Sequence, residues 1–321
     1  MHVLVTGGAG FIGSHSVDHL RAQGAVVRVL DNFSSGKMAN LAAHPGLDVV
    51  HGDIRDPAAV ERAFDGISHV LQLAAQVSVA ASVERPLDSS GVNVAGFLTV
   101  LDAARRHGVR RFVYASSSAV YGAADGIRAA ETTPLRPISP YGLDKAVDDL
   151  YAALYMELYG LPCLGLRYFN VFGPRQDASS PYSGVISVFV QALRACQPLS
   201  VYGDGGQTRD FIFVGDVARS NALALDAPLT GTCNVATGRS ISLLDLADLL
   251  GQVAGRAPQL RLLAPRAGDI RHSLADNTRL RTELGLTAFT DVATGLDRLW
   301  HVAPNNQQPT TKEFSCESIT K

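Results

Sequence analysis

His2-Val3-Leu4-Val5-Thr6-Gly7-Gly8-Ala9-Gly10-Phe11-Ile12-Gly13 opens the chain with an apolar run followed by a glycine-rich turn. Gly8, Gly10 and Gly13 satisfy the pattern G-x-G-x-x-G between a predicted strand and a predicted helix. In that context the glycines allow a tight turn, a close approach of the backbone to a pyrophosphate and packing of the helix on the sheet. Free N–H groups at the helix N-terminus then face the phosphates. The stretch predicts a dinucleotide-binding turn.

An acidic residue closes the second predicted strand, Val26-Val27-Arg28-Val29-Leu30. This residue is Asp31, 18 positions after Gly13, near the roughly 20 expected for the acid that hydrogen-bonds the adenosine ribose. A carboxylate there repels a 2′-phosphate, so the sequence predicts NAD rather than NADP as cofactor.

Three polar residues predict acid–base chemistry. Tyr141 and Lys145 are four residues apart on a predicted helix, so their side chains share one face. A nearby ammonium favours the phenolate form of a tyrosine. Ser117, at the end of an apolar strand, is placed to share a proton with that phenol and with a substrate. The three predict a base that takes a proton from an alcohol while a hydride leaves the same carbon.

Composition limits the classes of protein. The chain has 321 residues, of which 46% are apolar and 18% charged, and its net charge is −2. Without a basic stripe, nucleic acid is not expected as a partner. No apolar run approaches the roughly 18 residues of a membrane span, and no signal peptide opens the sequence. Four cysteines stand far apart, so we expect a reduced cytoplasmic protein without a metal site.

Apolar runs alternate with helical stretches in the first half of the chain, which predicts an α/β fold with a doubly wound parallel sheet. We expect an NAD-binding domain at 1–169, to which segments near 211–236 return, a smaller α/β substrate-binding domain at 170–302, and a polar tail at 303–321. Predicted strands are 2–6, 26–31, 47–51, 69–74, 111–115, 161–169, 199–202, 211–214 and 232–235. Predicted helices are 57–64, 93–107, 141–159 and 185–195.

Four motifs occur together in order: Thr6-Gly7-Gly8-Ala9-Gly10-Phe11-Ile12-Gly13, Ala115-Ser116-Ser117-Ser118-Ala119-Val120-Tyr121-Gly122, Tyr141-x-x-x-Lys145, and Arg167-Tyr168-Phe169-Asn170-Val171-Phe172-Gly173-Pro174. In this combination the chain resembles the extended short-chain dehydrogenase/reductase superfamily, and within it the UDP-sugar 4-epimerases. The resemblance extends from Met1 to about Trp300. It implies a Rossmann sheet, a tightly held NAD and a UDP-sugar substrate.

The resemblance also implies roles for individual residues. Catalysis would fall to Ser117, Tyr141 and Lys145. Cofactor contacts would come from Gly7, Gly10, Phe11, Ile12, Gly13, Asp31, Asn32, Asp53, Ile54, Leu73, Ala74, Ala75, Gln76, Asn93, Tyr141, Lys145 and Tyr168. Substrate contacts would come from Ser78, Ser117, Ser118, Tyr141, Asn170, Val185, Ile186, Tyr202, Arg209, Asp269, Arg271 and Ser273.

The residues after Ser117 favour epimerisation at carbon 4. Related enzymes that dehydrate or decarboxylate nucleotide sugars carry a carboxylate directly after the catalytic Ser or Thr, whereas this chain has Ser118 and Ala119. Without that general acid–base group, a second chemical step has little support. Three alternatives stay open: a UDP-uronic acid 4-epimerase, for which Arg175 would supply a cation if its loop folds inward; an NAD(P)-dependent nucleotide-4-ketosugar reductase; and a non-catalytic nucleotide-binding regulator.

Substrate size and assembly rest on two further features. A bulky tyrosine occupies the position of Ser273 in family members whose pocket is crowded near carbon 2 of the sugar. The small Ser273 therefore predicts that UDP-GlcNAc and UDP-GalNAc are accepted, with UDP-Glc and UDP-Gal as further substrates.

The helix from Tyr141 and the helix 93–107 carry wide apolar faces, which predict a homodimer through a four-helix contact; the alternative is that both faces only cover the sheet.

Overall fold

The computed structural model describes residues 1–123, 127–177, 184–265 and 270–302. Strands are β1 His2–Thr6, β2 Val26–Asp31, β3 Asp48–His51, β4 His69–Gln72, β5 Arg111–Ser117, β6 Cys163–Tyr168, β7 Asn170–Phe172, β8 Leu199–Tyr202, β9 Thr208–Arg209, β10 Phe211–Phe213, β11 Gly231–Val235, β12 Ile241–Ser242 and β13 Leu260–Leu263. Helices are α1 Phe11–Ala22, α2 Pro57–Ala63, α3 Val79–Glu84, α4 Pro86–Ser90, α5 Phe97–Arg106, α6 Pro140–Tyr159, α7 Val185–Arg194, α8 Val214–Asp226, α9 Leu243–Ala254, α10 Thr278–Thr282 and α11 Val292–His301. Two 3₁₀ turns, Met38–Leu41 and Ser118–Tyr121, and a π-helical segment, Gly91–Gly96, complete the set.

A seven-stranded parallel sheet forms the centre of the molecule, in the order β11-β6-β5-β4-β1-β2-β3. Successive side chains of a strand point to opposite faces, and β1 shows this directly. Val3 and Val5 belong to one core with α1 and α8, whereas Leu4 belongs to a second core with α2, α5 and α6. The predicted doubly wound α/β sheet is confirmed.

The chain leaves this sheet after β6 and returns to it at β11. Residues of β11 pair with β6 from Gly231 opposite Leu164 to Val235 opposite Tyr168, so this part of the predicted return is present. The predicted strand 211–214 behaves differently: it ends at Phe213, and it pairs with β7 in a separate two-stranded sheet. Val214 instead begins α8, whose first turn contains Asp216, a favourable position for an acid.

A third core, around Phe172, Phe189, Val201 and Leu246, lies apart from the seven-stranded sheet. We call the elements around this core the second lobe, and the seven-stranded sheet with its helices the first lobe. The third core is covered by α7, α9 and α11, with β8 parallel to β13 and β9 antiparallel to β12. This smaller α/β lobe matches the expected fold class, while the domain limits 1–169 and 170–302 stay predictions. The predicted tail 303–321 lies outside the described residues. In the part of the chain that the structure covers, no helix is long and apolar enough to cross a bilayer.

Several element limits differ from the sequence predictions for local reasons. The helix predicted at 93–107 starts as the π-helical segment and becomes α5 at Phe97. The strand predicted at 69–74 ends at Gln72, because the N–H groups of Leu73 and Ala74 donate to Thr6 Oγ1. The run predicted at 161–169 is shorter, because after Tyr168 the chain continues in another sheet. The sequence analysis did not predict helices α3, α4, α8, α9, α10 and α11.

Candidate active site

A cavity of about 700 Å³ lies at the carboxyl ends of β1, β2, β3, β4, β5 and β6. In open α/β sheets this edge is where ligands bind. The predicted site residues that line the cavity are Gly7, Gly10, Phe11, Ile12, Gly13, Asp31, Asn32, Asp53, Ile54, Leu73, Ala74, Ala75, Ser78, Ser117, Tyr141, Lys145 and Tyr168. The cavity therefore brings the glycine turn and the predicted acid–base triad together.

The glycine turn is too tight for side chains. Gly7 has a φ of +67°, and a Cβ there would lie 2.8 Å from the backbone N of Ala74. A Cβ on Gly13 would lie 2.0 Å from the carbonyl oxygen of Gly7, closer than any non-bonded contact. Helix α1 begins at Phe11 directly behind this turn. The result is a cradle of bare backbone at a helix N-terminus, which fits a dinucleotide pyrophosphate.

Two carboxylates mark the far end of the cavity. Asp31 is buried, and its two oxygens accept hydrogen bonds from the N–H groups of Ala9 at 2.9 Å and Phe33 at 2.8 Å. Asp53 accepts from Asn32 at 2.9 Å and pairs with Arg55 at 2.8 Å. The hydrogen bond from Arg55 is the main reason that the pKa of Asp53 lies well below its usual range. Both acids are thus held at the end expected for adenosine.

Asn93 lies behind the cavity and holds the loop that follows β4. Its side-chain amide accepts from the N–H of Gln76 at 2.8 Å and donates to the carbonyl of Gln76 at 3.0 Å. On its other side, Asn93 lies 3.3 Å from Asp144, which also accepts from the hydroxyls of Ser89 and Ser90 at 2.7 Å each. Gln76 and Asn93 therefore shape the cavity wall without lining it.

The predicted triad is positioned by the start of α6. Ser139 caps this helix by accepting from the N–H of Gly142 at 3.1 Å, and Pro140 occupies its first turn, a combination that favours helix initiation. Tyr141 consequently sits in the first turn, with its N–H donating to Ser82 Oγ at 3.1 Å. Ser117 ends β5, and its Oγ accepts from the N–H of Ala119 at 3.2 Å.

Lys145 forms an ion pair that the sequence analysis missed. Its Nζ lies 3.0 Å from Asp148 Oδ2, and the lysine side chain is 5% exposed and the aspartate 0%. Burial lowers the pKa of Lys145, but the charges of Asp148 and Tyr141 outweigh it, so the net pKa is raised. Lys145 is therefore a charged group within the site. The only signal in the sequence is that Asp148 follows Lys145 by three residues, a spacing that brings helical side chains together.

Of the residues predicted to bind substrate, Ser78, Ser117 and Tyr141 line the cavity, whereas Asn170, Arg209, Arg271 and Ser273 are not among its lining residues. Asn170 donates from Nδ2 to the carbonyl of Asp210 at 3.1 Å. Arg209 donates to the carbonyl of Thr208 at 3.0 Å, and Arg271 pairs with Asp204 at 2.8 Å. The N–H of Ser273 donates to the carbonyl of Thr208 at 3.1 Å, so Arg209, Arg271 and Ser273 gather around β9.

The remaining predicted contacts lie in various places. Ile186 is buried in the core of the second lobe, with Val185 partly buried beside it. Tyr202 ends β8, and Ser118 begins a 3₁₀ turn. Asp269 lies outside the described residues. The roles assigned to all these residues stay predictions.

A loop of the second lobe reaches the first lobe across the cavity. Arg175, which lines the cavity, pairs through Nη1 with Asp18 of α1 at 2.7 Å. His15 of α1 hydrogen-bonds the carbonyl of Pro174 at 2.9 Å through Nε2. Asp177 lies 3.9 Å from Lys37. The loop containing Arg175 thus folds inward, but the guanidinium already has a carboxylate partner.

Comparisons with known proteins agree with this geometry. The model of the NAD dependent epimerase/dehydratase family matches residues 3–236. The UDP-glucose 4-epimerase of Mycolicibacterium smegmatis is 38% identical, over 96% of this chain and 100% of that protein. A structure of the UDP-N-acetylglucosamine 4-epimerase of Methanobrevibacter ruminantium, in complex with UDP-N-acetylmuramic acid, superposes with a TM-score of 0.89 and 38% identity, over 93% of this chain and 97% of that one. The dTDP-glucose 4,6-dehydratase of an Actinoplanes species is 35% identical, over 92% and 95% of the two chains.

The chain belongs to the NAD dependent epimerase/dehydratase family. The resemblance to the extended short-chain dehydrogenase/reductase superfamily is confirmed, and NAD is the cofactor of this family. Residues of the glycine turn and the buried Asp31 fit that cofactor.

Proposed function

We propose that this protein is an NAD-dependent 4-epimerase of UDP-sugars. The observation that carries the proposal is the shared cavity: the glycine turn and Asp31 line one end, while Ser117, Tyr141 and Lys145 line the same space. The two residues after Ser117, which would have to supply a carboxylate for dehydration, are Ser118 and Ala119. Oxidation followed by reduction at one carbon needs only the base that is present.

The chain's own residues handle the proton. Ionised Tyr141 accepts the proton of the 4-hydroxyl, and Ser117 hydrogen-bonds the same oxygen as it becomes a carbonyl. Lys145 keeps positive charge beside the phenolate, so that charge does not have to be rebuilt during the reaction. The glycine turn and Asp31 would hold NAD, which would supply a hydride acceptor at carbon 4 and a hydride donor for the opposite face of the 4-keto sugar. Tyr141 gives its proton back in the same turnover, so no net proton is consumed.

The substrate range follows from Ser273. The family resemblance implies that Ser273 lies near carbon 2 of the sugar, where a serine would leave room for an N-acetyl group. We therefore propose interconversion of UDP-GlcNAc and UDP-GalNAc, together with UDP-Glc and UDP-Gal. The names of the relatives support both sugars, because one is a UDP-glucose 4-epimerase and another a UDP-N-acetylglucosamine 4-epimerase. Arg209, together with Asn170, is proposed to contact the diphosphate. Arg271, which hydrogen-bonds Arg209 through its carbonyl, is proposed to belong to a stretch that closes over the nucleotide.

Two other functions are weaker. A uronic acid substrate would call for a cation without a fixed partner, yet Arg175 is paired with Asp18 at 2.7 Å. A 4-ketosugar reductase would have to release its oxidised cofactor in every cycle. In this structure the loop at Pro174 is tied to α1 by His15, which favours retention of the cofactor.

We also propose that the protein is a homodimer. Helix α6 exposes Leu150, Leu154 and Leu158, which are 66%, 44% and 59% accessible. Residues four apart lie on one face of a helix, so these leucines form one apolar strip. A strip of this kind on a soluble protein marks a contact surface. A second copy of α5 and α6 would cover it in a four-helix arrangement.

The deciding experiment is to incubate the purified protein, without added cofactor, with UDP-GlcNAc and with UDP-Glc in separate reactions. We expect the carbon-4 epimer of each to form, as resolved by NMR. A requirement for added NADH in proportion to product would contradict epimerisation and identify a reductase. The S273Y variant tests the substrate proposal: we expect it to lose UDP-GlcNAc conversion and to keep UDP-Glc conversion. Equal loss of both activities would contradict the role of Ser273.

A further inference from the structure

Three carboxylates of α6 lie near the base of the active site, and each is compensated differently. Asp144 accepts hydrogen bonds from the hydroxyls of Ser89 and Ser90. Asp149 pairs with Arg167 at 2.9 Å and accepts from the hydroxyl of Tyr114 at 3.0 Å. Asp148 has Lys145 on Oδ2 at 3.0 Å. Its other oxygen, Oδ1, is buried and has no hydrogen-bond partner among the described residues.

A buried carboxylate with only one oxygen hydrogen-bonded lowers the stability of the folded protein. This carboxylate, Asp148, is in contact with Lys145 of the proposed catalytic triad. Lys145 lies 3.0 Å from Asp148, and it follows Tyr141 by four residues on α6 and lines the same cavity. One ammonium therefore faces two groups that become anions, a carboxylate and a phenol. An opposite charge within a few ångströms favours the ionised form of each, whereas the two anions disfavour one another.

We propose that Asp148 is a positioning residue that competes with the phenolate of Tyr141 for the charge of Lys145, and thereby sets how readily Tyr141 gives up its proton. The inference rests on the proposed role of Tyr141 as the base. When Asp148 is ionised, Lys145 divides its charge between two anions. When Asp148 carries a proton, the full charge of Lys145 acts on the phenolate.

Burial supports this exchange, because it raises the pKa of Asp148 to about 7 even though Lys145 opposes the shift. The neighbouring elements add few competing charges. Strand β6 contributes Arg167, which is bound to Asp149, and the phenol of Tyr168, whose pKa is raised by burial. Strand β5 contributes Tyr114, whose pKa is also raised by burial.

The remaining charged groups on packed elements have partners of their own. Arg85 and Asp88 on the α3–α4 side are exposed and lie 3.7 Å apart. Asp102 and Arg105 of α5 pair with each other at 2.9 Å. Asp149 also acts on Lys145, and Asp149 and Asp144 act on Asp148, but Asp149 is bound to Arg167 and Asp144 to serine hydroxyls. Asp148 is the carboxylate that contacts Lys145 directly.

The test is a pH titration of the near-ultraviolet phenolate absorbance of the purified holoprotein, with a Y141F variant subtracted to isolate Tyr141. In D148N the amide keeps the size of the side chain and an oxygen for Lys145, but removes the charge. We expect the phenolate of Tyr141 to form at a pH lower by about 1 unit or more. The acid side of the kcat/KM profile for epimerisation should move in the same direction.

D144N is the matched control, because it neutralises another buried carboxylate of α6 that is bound to hydroxyl groups rather than to Lys145. We expect a clearly smaller shift there. An unchanged titration in D148N would overturn the proposal. So would a shift to higher pH, which would mean that Asp148 serves to keep Lys145 protonated.

If D148N does not fold, D148S gives a second neutral side chain that accepts a hydrogen bond. The wild-type protein offers an independent measurement, because coupling to Asp148 should make the phenolate titration broader than a one-proton curve. A one-proton curve would contradict the proposal. These titrations use no substrate, so they distinguish failure of this inference from failure of the proposed epimerase activity.

Discussion

The side-chain amide of Asn93 forms two hydrogen bonds with the backbone of Gln76. Asn93 Oδ1 accepts from the N–H of Gln76 at 2.8 Å, and Asn93 Nδ2 donates to the carbonyl oxygen of Gln76 at 3.0 Å. This single side chain replaces a turn of regular structure in the loop after β4. Leu73, Ala74 and Ala75, which precede Gln76, line the cavity. The wall of the cofactor site is therefore held from behind by Asn93.

The N93A variant should lose bound NAD. Removing the amide leaves the N–H and carbonyl of Gln76 without their partner, which costs about 1–3 kcal/mol for buried groups. We expect a lower melting temperature and less cofactor in the purified protein, measured by its release on denaturation. T99A, which removes an exposed hydroxyl bonded to the carbonyl of Ala95, is the control. Full NAD occupancy in N93A would show that the loop holds its shape unaided.

Two glycine variants in the glycine turn should differ in stability, because the space available for a new Cβ differs between the two positions. In G13A the new Cβ would meet the carbonyl of Gly7 at 2.0 Å, so the turn must move, at a cost of about 1–3 kcal/mol or more. In G10A the nearest contact is 3.2 Å, which a small adjustment relieves. We therefore expect thermal unfolding to report a large loss of stability for G13A and a small one for G10A. Equal losses would contradict the geometry of the turn.

Charge on the exposed strip of α6 should dissociate the proposed dimer. L154E places a carboxylate in the middle of the strip, where a second subunit would bury it without a partner. We expect light scattering to give the dimer mass for the wild type and the monomer mass for L154E. L262E is a suitable control, because Leu262 is 61% exposed in β13, outside the strip. A monomeric wild type would refute the dimer outright.

Acid should lower the stability of the protein through His15, because burial disfavours the protonated imidazole. Burial lowers the pKa of His15 below its ordinary value of 6.5, so the unfolded chain binds more protons than the folded one in this range. Stability from the neutral imidazole is therefore present above pH about 6.5 and is lost as the pH falls below it.

H15Q keeps a donor for the carbonyl of Pro174 but does not titrate. We expect its stability, measured by chemical denaturation, to fall less steeply than that of the wild type between pH about 7 and 5. His19 and His69, whose pKa values burial also lowers, contribute to the slope that remains. Asp148 opposes them, because burial raises its pKa to about 7 and the folded chain then binds the extra proton. Identical slopes would show that His15 makes no contribution.

The fold was largely predictable because its signals are local. The glycine turn leaves few alternatives to a strand followed by a helix, and the four-residue step from Tyr141 to Lys145 fixes which side chains meet. Asp31 could be anticipated from its spacing to the glycine turn, whereas Asn93 could be anticipated only through the family resemblance, since its partners Gln76 and Asp144 lie elsewhere in the chain. The π-helical segment before Phe97 was not predicted from the sequence.

The choice of partner within α6 could not be predicted. Asp144, Asp148 and Asp149 are identical side chains, all within four positions of Lys145. Their surroundings distinguish them: Asp149 faces Arg167 from β6, and Asp144 faces two serine hydroxyls. Which acid binds Lys145 is decided by groups distant in the sequence.

The return of the chain at β11 has a consequence for folding. Strand β6 pairs with β5 on one side and with β11 on the other. It therefore lacks one of its two neighbouring strands until more than sixty intervening residues, between Tyr168 and Gly231, have been synthesised. A fragment that ends near Phe169 would present a buried strand as a free edge, the kind of surface on which polypeptides aggregate. Contacts so distant in the sequence also slow the search for the native state. We therefore expect that the first lobe cannot be isolated by truncation, and that a nascent chain commits to its final structure only after Val235 has been made.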